Sequence, residues 1–338
     1  MTNSKFRLSA GLALLFALLA ALTPAISRAQ ALADQPKYAA IVIDARTGEA
    51  LYQVRADAPR HPASLTKIMT LYLTFEALRT GRLKLNDTIT ISPHAFGMRP
   101  SKVSSRAGET LTVAQAIPAM TVHSANDVAV AMAERLGGTE ARFAQQMTAR
   151  AIALGMRSTT FVNASGLPPD EKQISTARDL AILSRAVMRD YPKYYPYFGL
   201  KSFTYRGKVL QNHNHLVLKM PGVDGMKTGY TSLAGFNLVA SGVQDGHRLI
   251  TVVLGGPSVR ARDDNVAELL EAGFQVLKSR ENGEKISFAS LVGSPADMAA
   301  LLSHAAVERH AAGVAPARRR RGRGSAHRRL RQGVARHS

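Results

Sequence analysis

The chain has 338 residues, 46% of them hydrophobic, and a formal net charge of +20, a length that suits one large domain or two small ones with a full core. It has no cysteine, which excludes disulfides, thiolate metal sites and a thiol nucleophile and points to a hydroxyl for any covalent chemistry. Residues 1–29 hold three basic groups and 318–338 hold nine arginines, both without acids, so residues 30–317 carry only +8, which argues against a nucleic-acid-binding domain and fits a surface facing anionic polymers or lipids.

Lys5 and Arg7, the apolar run 8–22 and the small-residue stretch "AISRAQA" read as an export signal cleaved after Ala29 or Ala31. The run is short of the ~20 residues a membrane span needs. Export places the mature chain in the periplasm or cell envelope, with peripheral membrane contact left open. "KYAAIVID" then reads as a buried strand, "ARTGEA" as a turn and "LYQVRA" as a return strand. "HPASLTKIMTLYLTFEALRTG" predicts a helix opened after Pro62 and stopped at Gly81.

Residues 85–215 are expected to be mostly helical with polar loops. "TLTVAQAIPAMTVHSANDVAVAMAERLGG" suggests helix, break, helix, and "STARDLAILSRAVMRD" has a clear apolar face. Beyond 216, "GFNLVASGVQDGHRLITVVLGG" predicts two strands around Asp245-Gly246. "DDNVAELLEAGFQVLKS" predicts a closing helix with two aspartates at its start. The fold class expected is α+β, one antiparallel sheet built from strands of both chain ends, with an inserted helical region. No internal repeat is present. The arginine-rich end has too little apolar content for a core.

Ser64 and Lys67, one helical turn apart, share a face. A serine hydroxyl needs a base, and lysine serves when burial or nearby positive charge makes it neutral. Ser-x-x-Lys is expected on the order of once by chance in such a chain, so the pair alone also fits a solvated helix start. Ser124-Ala125-Asn126 adds a second hydroxyl for proton relay and an amide for a substrate carbonyl; it also fits a helix N-cap. Lys227-Thr228-Gly229, just before the strand "FNLVAS", adds a fixed charge, a hydroxyl and a glycine that lets a substrate backbone lie along a strand edge; it also fits an ordinary turn. A given tripeptide is expected only about 0.1 times in such a chain. Each motif occurs once, in this order, each at a predicted element boundary.

This triple marks penicillin-binding proteins and serine β-lactamases. Together with "IVIDARTGEALY", "PASLTKIMT", "SANDVAVAMAE", "TFVNASGLPPDEKQISTARDLAIL", "VDGMKTGYTSLAGFNLVASG" and "RDDNVAELLEAGF", it makes residues 37–278 resemble the serine D-alanyl-D-alanine carboxypeptidases, the low-molecular-mass penicillin-binding proteins. The resemblance implies a β-lactamase/transpeptidase-like fold with helices on both sheet faces. It divides the chain into a signal (1–29), a DD-peptidase domain (34–283) and a weakly structured tail (284–338).

It further implies Ser64 as nucleophile, Lys67 as base, Ser124 as proton relay with Lys227 in support, and Asn126 on a substrate amide. The amides of Ser64 and Tyr230 would form the oxyanion hole, with Gly229 giving close approach. Thr228 with Arg262, preferred over Arg260, would bind the terminal carboxylate. No cofactor or metal is implied. The partners implied are peptidoglycan stem peptides and β-lactams as covalent inhibitors. A DD-endopeptidase shares every motif, and a β-lactamase is disfavoured by Ala125 and by the lack of a glutamate to hold a deacylating water. Many members carry a further β-rich domain and a membrane-docking helix, for which residues 284–338 are too few and too arginine-rich. That tail would instead touch anionic lipid or wall polymer, or simply be solvated. Tyr230 stands where a histidine is common.

His213 and His215 alternate as on a strand but lack a third ligand at useful spacing. His123 adjoins Ser124 and so points elsewhere. Tyr191, Tyr194, Tyr195 and Tyr197 read as packing.

Overall fold

The computed structural model describes Leu32 and residues 35–167 and 170–292. The expected export signal and the arginine-rich end lie outside them. β1 (Ala39–Asp44) and β2 (Ala50–Val54) form the first hairpin. Its turn is closed by Asp44 Oδ1, which accepts from Arg46 N and Thr47 N. A 3-10 turn, Ala63–Thr66, runs directly into α1 (Lys67–Arg79). There follow β3 (Thr88–Thr90), α2 (Pro93–Phe96), β4 (Thr110–Thr112), α3 (Val113–Thr121), α4 (Asn126–Gly137), α5 (Glu140–Leu154) and α6 (Ala177–Asp190). A second 3-10 turn, Tyr195–Gly199, leads to β5 (Ser202–Tyr205), β6 (Lys208–Gln211) and α7 (His215–Lys219). The chain then forms β7 (Val223–Thr231), β8 (Gly235–Gln244), β9 (His247–Gly256), α8 (Val259–Glu281) and α9 (Phe288–Val292).

The main sheet is antiparallel with strand order β2-β1-β9-β8-β7. Strands from the two ends of the domain meet at its centre, where Ile41 faces Val252, and β7 is left at an edge. Successive side chains of a strand point to opposite faces. Accordingly Ala39, Ile41, Ile43, Ile250 and Val252 join the core of the helical insert, while Ala40, Val42, Leu249 and Val253 pack on α8. Both faces are covered, which is why "AAIVID" is apolar throughout rather than alternating. This is the α+β arrangement expected, with the helical insert between β2 and β7.

Four details differ from the sequence reading. The insert contains two small sheets, β3-β4 and β5-β6, of three- and four-residue strands too short to show a period. Lys227-Thr228-Gly229 does not precede a strand but lies within β7, whose Gly, Lys and Thr content hides it. The closing helix starts earlier, at Val259, with Ser258 Oγ accepting from Ala261 N. Asp263 and Asp264 are therefore in its second turn, and a serine caps it. Packed chain also continues past residue 283: α9 sets Phe288 and Val292 into the second core, with Phe288 stacked on Tyr52. Among the described residues no helix is long and apolar enough to cross a membrane.

Candidate active site

The turn that carries Ser64 is held from three sides. Ala63 takes φ 50, a left-handed conformation that costs a non-glycine residue energy and persists only where its surroundings enforce it. On one side is Gly166 (φ +86): a Cβ there would stand 2.0 Å from Ala63 O. On the other is Gly229 of β7, where a Cβ would stand 2.9 Å from Pro62 O and 3.1 Å from Ser64 N. Both positions need glycine because backbone touches backbone. From behind, the Asn237 amide on β8 donates to His61 O and Pro62 O and accepts from Gly255 N.

Lys67 is the first residue of α1 and is fully buried. Its Nζ lies 3.0 Å from Ser64 Oγ, 2.7 Å from Asn126 Oδ1 and 2.7 Å from Ser165 O. An ammonium has three hydrogens for these three acceptors. A neutral amine has two, which the two carbonyl oxygens take, and its lone pair is then turned to the Ser64 hydroxyl. Burial and the charge of Lys227 push Lys67 well below the ordinary lysine range, with Asp127 opposing. The geometry and the charge environment both favour a lysine that accepts the serine's proton.

Ser165, which sequence reading missed, acts through its backbone carbonyl, so no residue type could announce it. Its loop is fixed by Gln173. The Gln173 side chain accepts from Val162 N and Asn163 N and donates to Thr66 Oγ1 and Asn163 Oδ1. Asn163 Oδ1 in turn accepts from Gly166 N.

Ser124 is not the helix N-cap. Ala125 takes that position, and Ser124 lies one residue before it at φ 61. The turn between α3 and α4 imposes this, through Ala125 N to Ala119 O and Asn126 N to Ser101 O. Asn126 spends its oxygen on Lys67 and one N–H on Arg99 O, which leaves one N–H for a ligand carbonyl. Asp127, also missed, accepts from Val103 N, Ser104 N and Ser104 Oγ and so pins the 101–104 segment beside the motif.

Lys227 is buried on β7 and donates to Thr228 O. Burial and the charge of Arg262 lower it to about 7. Arg262 is 3% exposed, whereas the Arg260 side chain is 88% exposed and paired with Asp264. Ser64, Ser124, Asn126, Thr228, Gly229, Tyr230 and Arg262 all line one cleft, with Pro100, Ser101, Leu167, His213, His215, Phe236 and Val259 completing it. Lys67 and Lys227 lie beneath. Every residue singled out from sequence is thus brought to one place, and Arg260 stays outside.

Tyr230 is half exposed and stacks on Phe236 at 4.2 Å. His213 and His215 are not on a strand; His215 opens α7 and contacts Asp263, and the His213 ring lies 5.3 Å from that of His123. Among the described residues no group of three or more His, Asp or Glu side chains is arranged to hold a metal. Tyr191 and Tyr194 pack on Phe75.

The family described as D-alanyl-D-alanine carboxypeptidase, peptidase S11, matches residues 27–258. The D-alanyl-D-alanine carboxypeptidase DacF of Bacillus subtilis is 36% identical over 252 residues, covering 73% of this chain and 64% of its own. DacA of Escherichia coli K12 is 38% identical over 246 residues, covering 71% and 61%. The chain therefore spans less than two thirds of the length of these two relatives. Penicillin binding protein 5 from Haemophilus influenzae matches in structure with TM-score 0.68 at 35% identity, over 75% of this chain and 73% of that one. Penicillin-Binding Protein D2 from Listeria monocytogenes, solved in an ampicillin-bound form, matches with TM-score 0.63 at 34% identity, over 70% and 96%.

Proposed function

Because the chain belongs to the D-alanyl-D-alanine carboxypeptidase family, we propose that it is a serine DD-carboxypeptidase that removes the terminal D-alanine from peptidoglycan stem pentapeptides. The observation that carries this reading is the buried Lys67, 3.0 Å from Ser64 Oγ, with two carbonyl oxygens orienting it. Ser64 Oγ attacks the carbonyl carbon of the penultimate D-alanine while its proton passes to Lys67 Nζ. Ser124 relays that proton to the leaving nitrogen, with Lys227 in support. The C–N bond breaks, D-alanine leaves, and water, deprotonated by Lys67, hydrolyses the acyl-enzyme.

The oxyanion formed in each half is stabilised by the amides of Ser64 and Tyr230. Their pairing is supported by the close seating of β7 on the Ser64 turn at Gly229. Edge strand β7 holds the extended peptide, and Thr228 with Arg262 takes the terminal carboxylate. A β-lactam carries the same groups and acylates Ser64. Among the described residues no carboxylate lines the cleft, which supports slow release of that adduct rather than a β-lactamase. The same reading puts the enzyme in the cell envelope with its substrate, and the nine arginines of residues 318–338 support a contact of that segment with anionic lipid or wall polymer.

The protein should release free D-alanine from an N-acylated stem pentapeptide and leave the tetrapeptide. Chromatography of muropeptide digests checks this. Splitting of cross-linked dimers into monomers without release of D-alanine would instead make it a DD-endopeptidase, and rapid turnover of penicillin would make it a β-lactamase. Arg262→Ala should raise KM for the pentapeptide by roughly ten- to a hundred-fold, the worth of a charged hydrogen bond, while Arg260→Ala leaves it unchanged. Equal effects of the two would remove Arg262 from the carboxylate site.

A further inference from the structure

We infer that His215 is a positioning residue for the substrate's terminal carboxylate, acting through Asp263 on Arg262; the inference rests on the carboxypeptidase reading above. A guanidinium has five N–H donors. In Arg262, Nε and one Nη2 hydrogen go to Asp263 Oδ1 at 2.8 and 2.5 Å, and one Nη1 hydrogen goes to Asn237 O at 3.2 Å. One N–H remains on each terminal nitrogen, the fork that a carboxylate takes. Asp263 therefore has two opposed effects. It holds the fork in place, and its negative charge subtracts from the potential that draws in the substrate's anion.

His215 meets the other oxygen of the same carboxylate, Nδ1 to Oδ2 at 3.1 Å. Its side chain is 45% exposed and lines the same cleft as Arg262, so the ring is open to solvent. Histidine ordinarily changes charge between about pH 5 and 8. Protonated, His215 offsets Asp263 from the far side and leaves the charge of Arg262 to the substrate. Neutral, it leaves Asp263 acting against the fork. The effect on substrate binding is thus present on the acid side and lost as pH rises.

Other charged groups face this cluster. His213 lies on the turn before α7, with His123 behind it, and Lys227 lies on β7. Burial, and then Lys227, hold His213 down to about 4, and burial lowers His123. Lys227 is lowered to about 7 and is common to the two proteins that the test compares.

The test is steady-state hydrolysis of an acyl-D-Ala-D-Ala peptide from pH 5 to 8 by the full chain and by His215→Gln, which keeps a donor without the charge. The ratio of KM, variant over parent, should be about 1.5 to five at pH 5, the range of an exposed charge pair, and fall as pH rises. The kcat ratio should stay flat. The same peptide with a C-terminal amide should show no difference in kcat/KM. A KM ratio that does not change with pH, or a difference that persists with the amide, overturns the inference. A parent protein that releases no D-alanine at any pH overturns the carboxypeptidase reading, and the inference with it.

Discussion

Ser64→Ala should leave no adduct after incubation with a labelled penicillin, and D-alanine release should fall by about 10⁴-fold or more, with the melting temperature nearly unchanged. The hydroxyl is half-buried at the cleft wall, 3.0 Å from Lys67 Nζ, so its loss opens no core cavity. Intact-mass spectrometry reads the adduct; a penicilloyl mass on the alanine variant would place the nucleophile elsewhere. The acid limb of parent acylation carries the companion result. An ordinary lysine loses its proton near pH ~10.4. Burial and Lys227 disfavour the charged form of Lys67, so acylation should reach half its maximum well below that pH. A limb at the ordinary value would show a lysine that rests charged and does not act as base.

Gly166→Ala is expected to lower unfolding free energy by about 2–4 kcal/mol, combining left-handed strain with overpacking, and to slow acylation in whatever fraction still folds. The added methyl would meet Ala63 O at 2.0 Å, so either the 162–166 segment or the Ser64 turn must move. If the segment moves, Ser165 O leaves Lys67 and the amine is no longer oriented. Gly108→Ala is the control: its φ is +81, but nothing lies within 4 Å of the new atom, so it reports strain alone, about 1 kcal/mol. Denaturant midpoints and acylation rates of the two variants separate the terms. A Gly166→Ala protein as stable as Gly108→Ala and acylated at the parent rate would show that the loop does not press on the turn.

The hydroxyls and amines of the site were legible in sequence, and the carbonyl and amide contacts that hold them were not. Ser64, Ser124 and Lys227 carry a hydroxyl or an amine that few other residues offer, and their order along the chain is readable. Ser165 contributes only a carbonyl oxygen, which every residue has. Gln173, Asn163 and Asn237 hold loops through amide hydrogen bonds whose partners are as much as 176 residues away, and no local pattern encodes such a pairing. The apolar strands β1, β8 and β9 were visible from their runs of Ala, Ile, Val and Leu. β7 was not, because its glycines and polar side chains serve the cleft rather than a core.

The strand at the centre of the main sheet is the last one made. β9 ends at Gly256, yet it separates β1 from β8 and so joins the first hairpin to the edge strand that bears Lys227. A growing chain has Ser64 long before it has this strand, but until β9 arrives nothing seats β7 against the Ser64 turn. Pairings of such long sequence separation form late and slowly. An unfinished copy therefore has Ser64 but not the close seating of Gly229 on its turn, and on the proposed function it lacks the oxyanion amide that β7 brings.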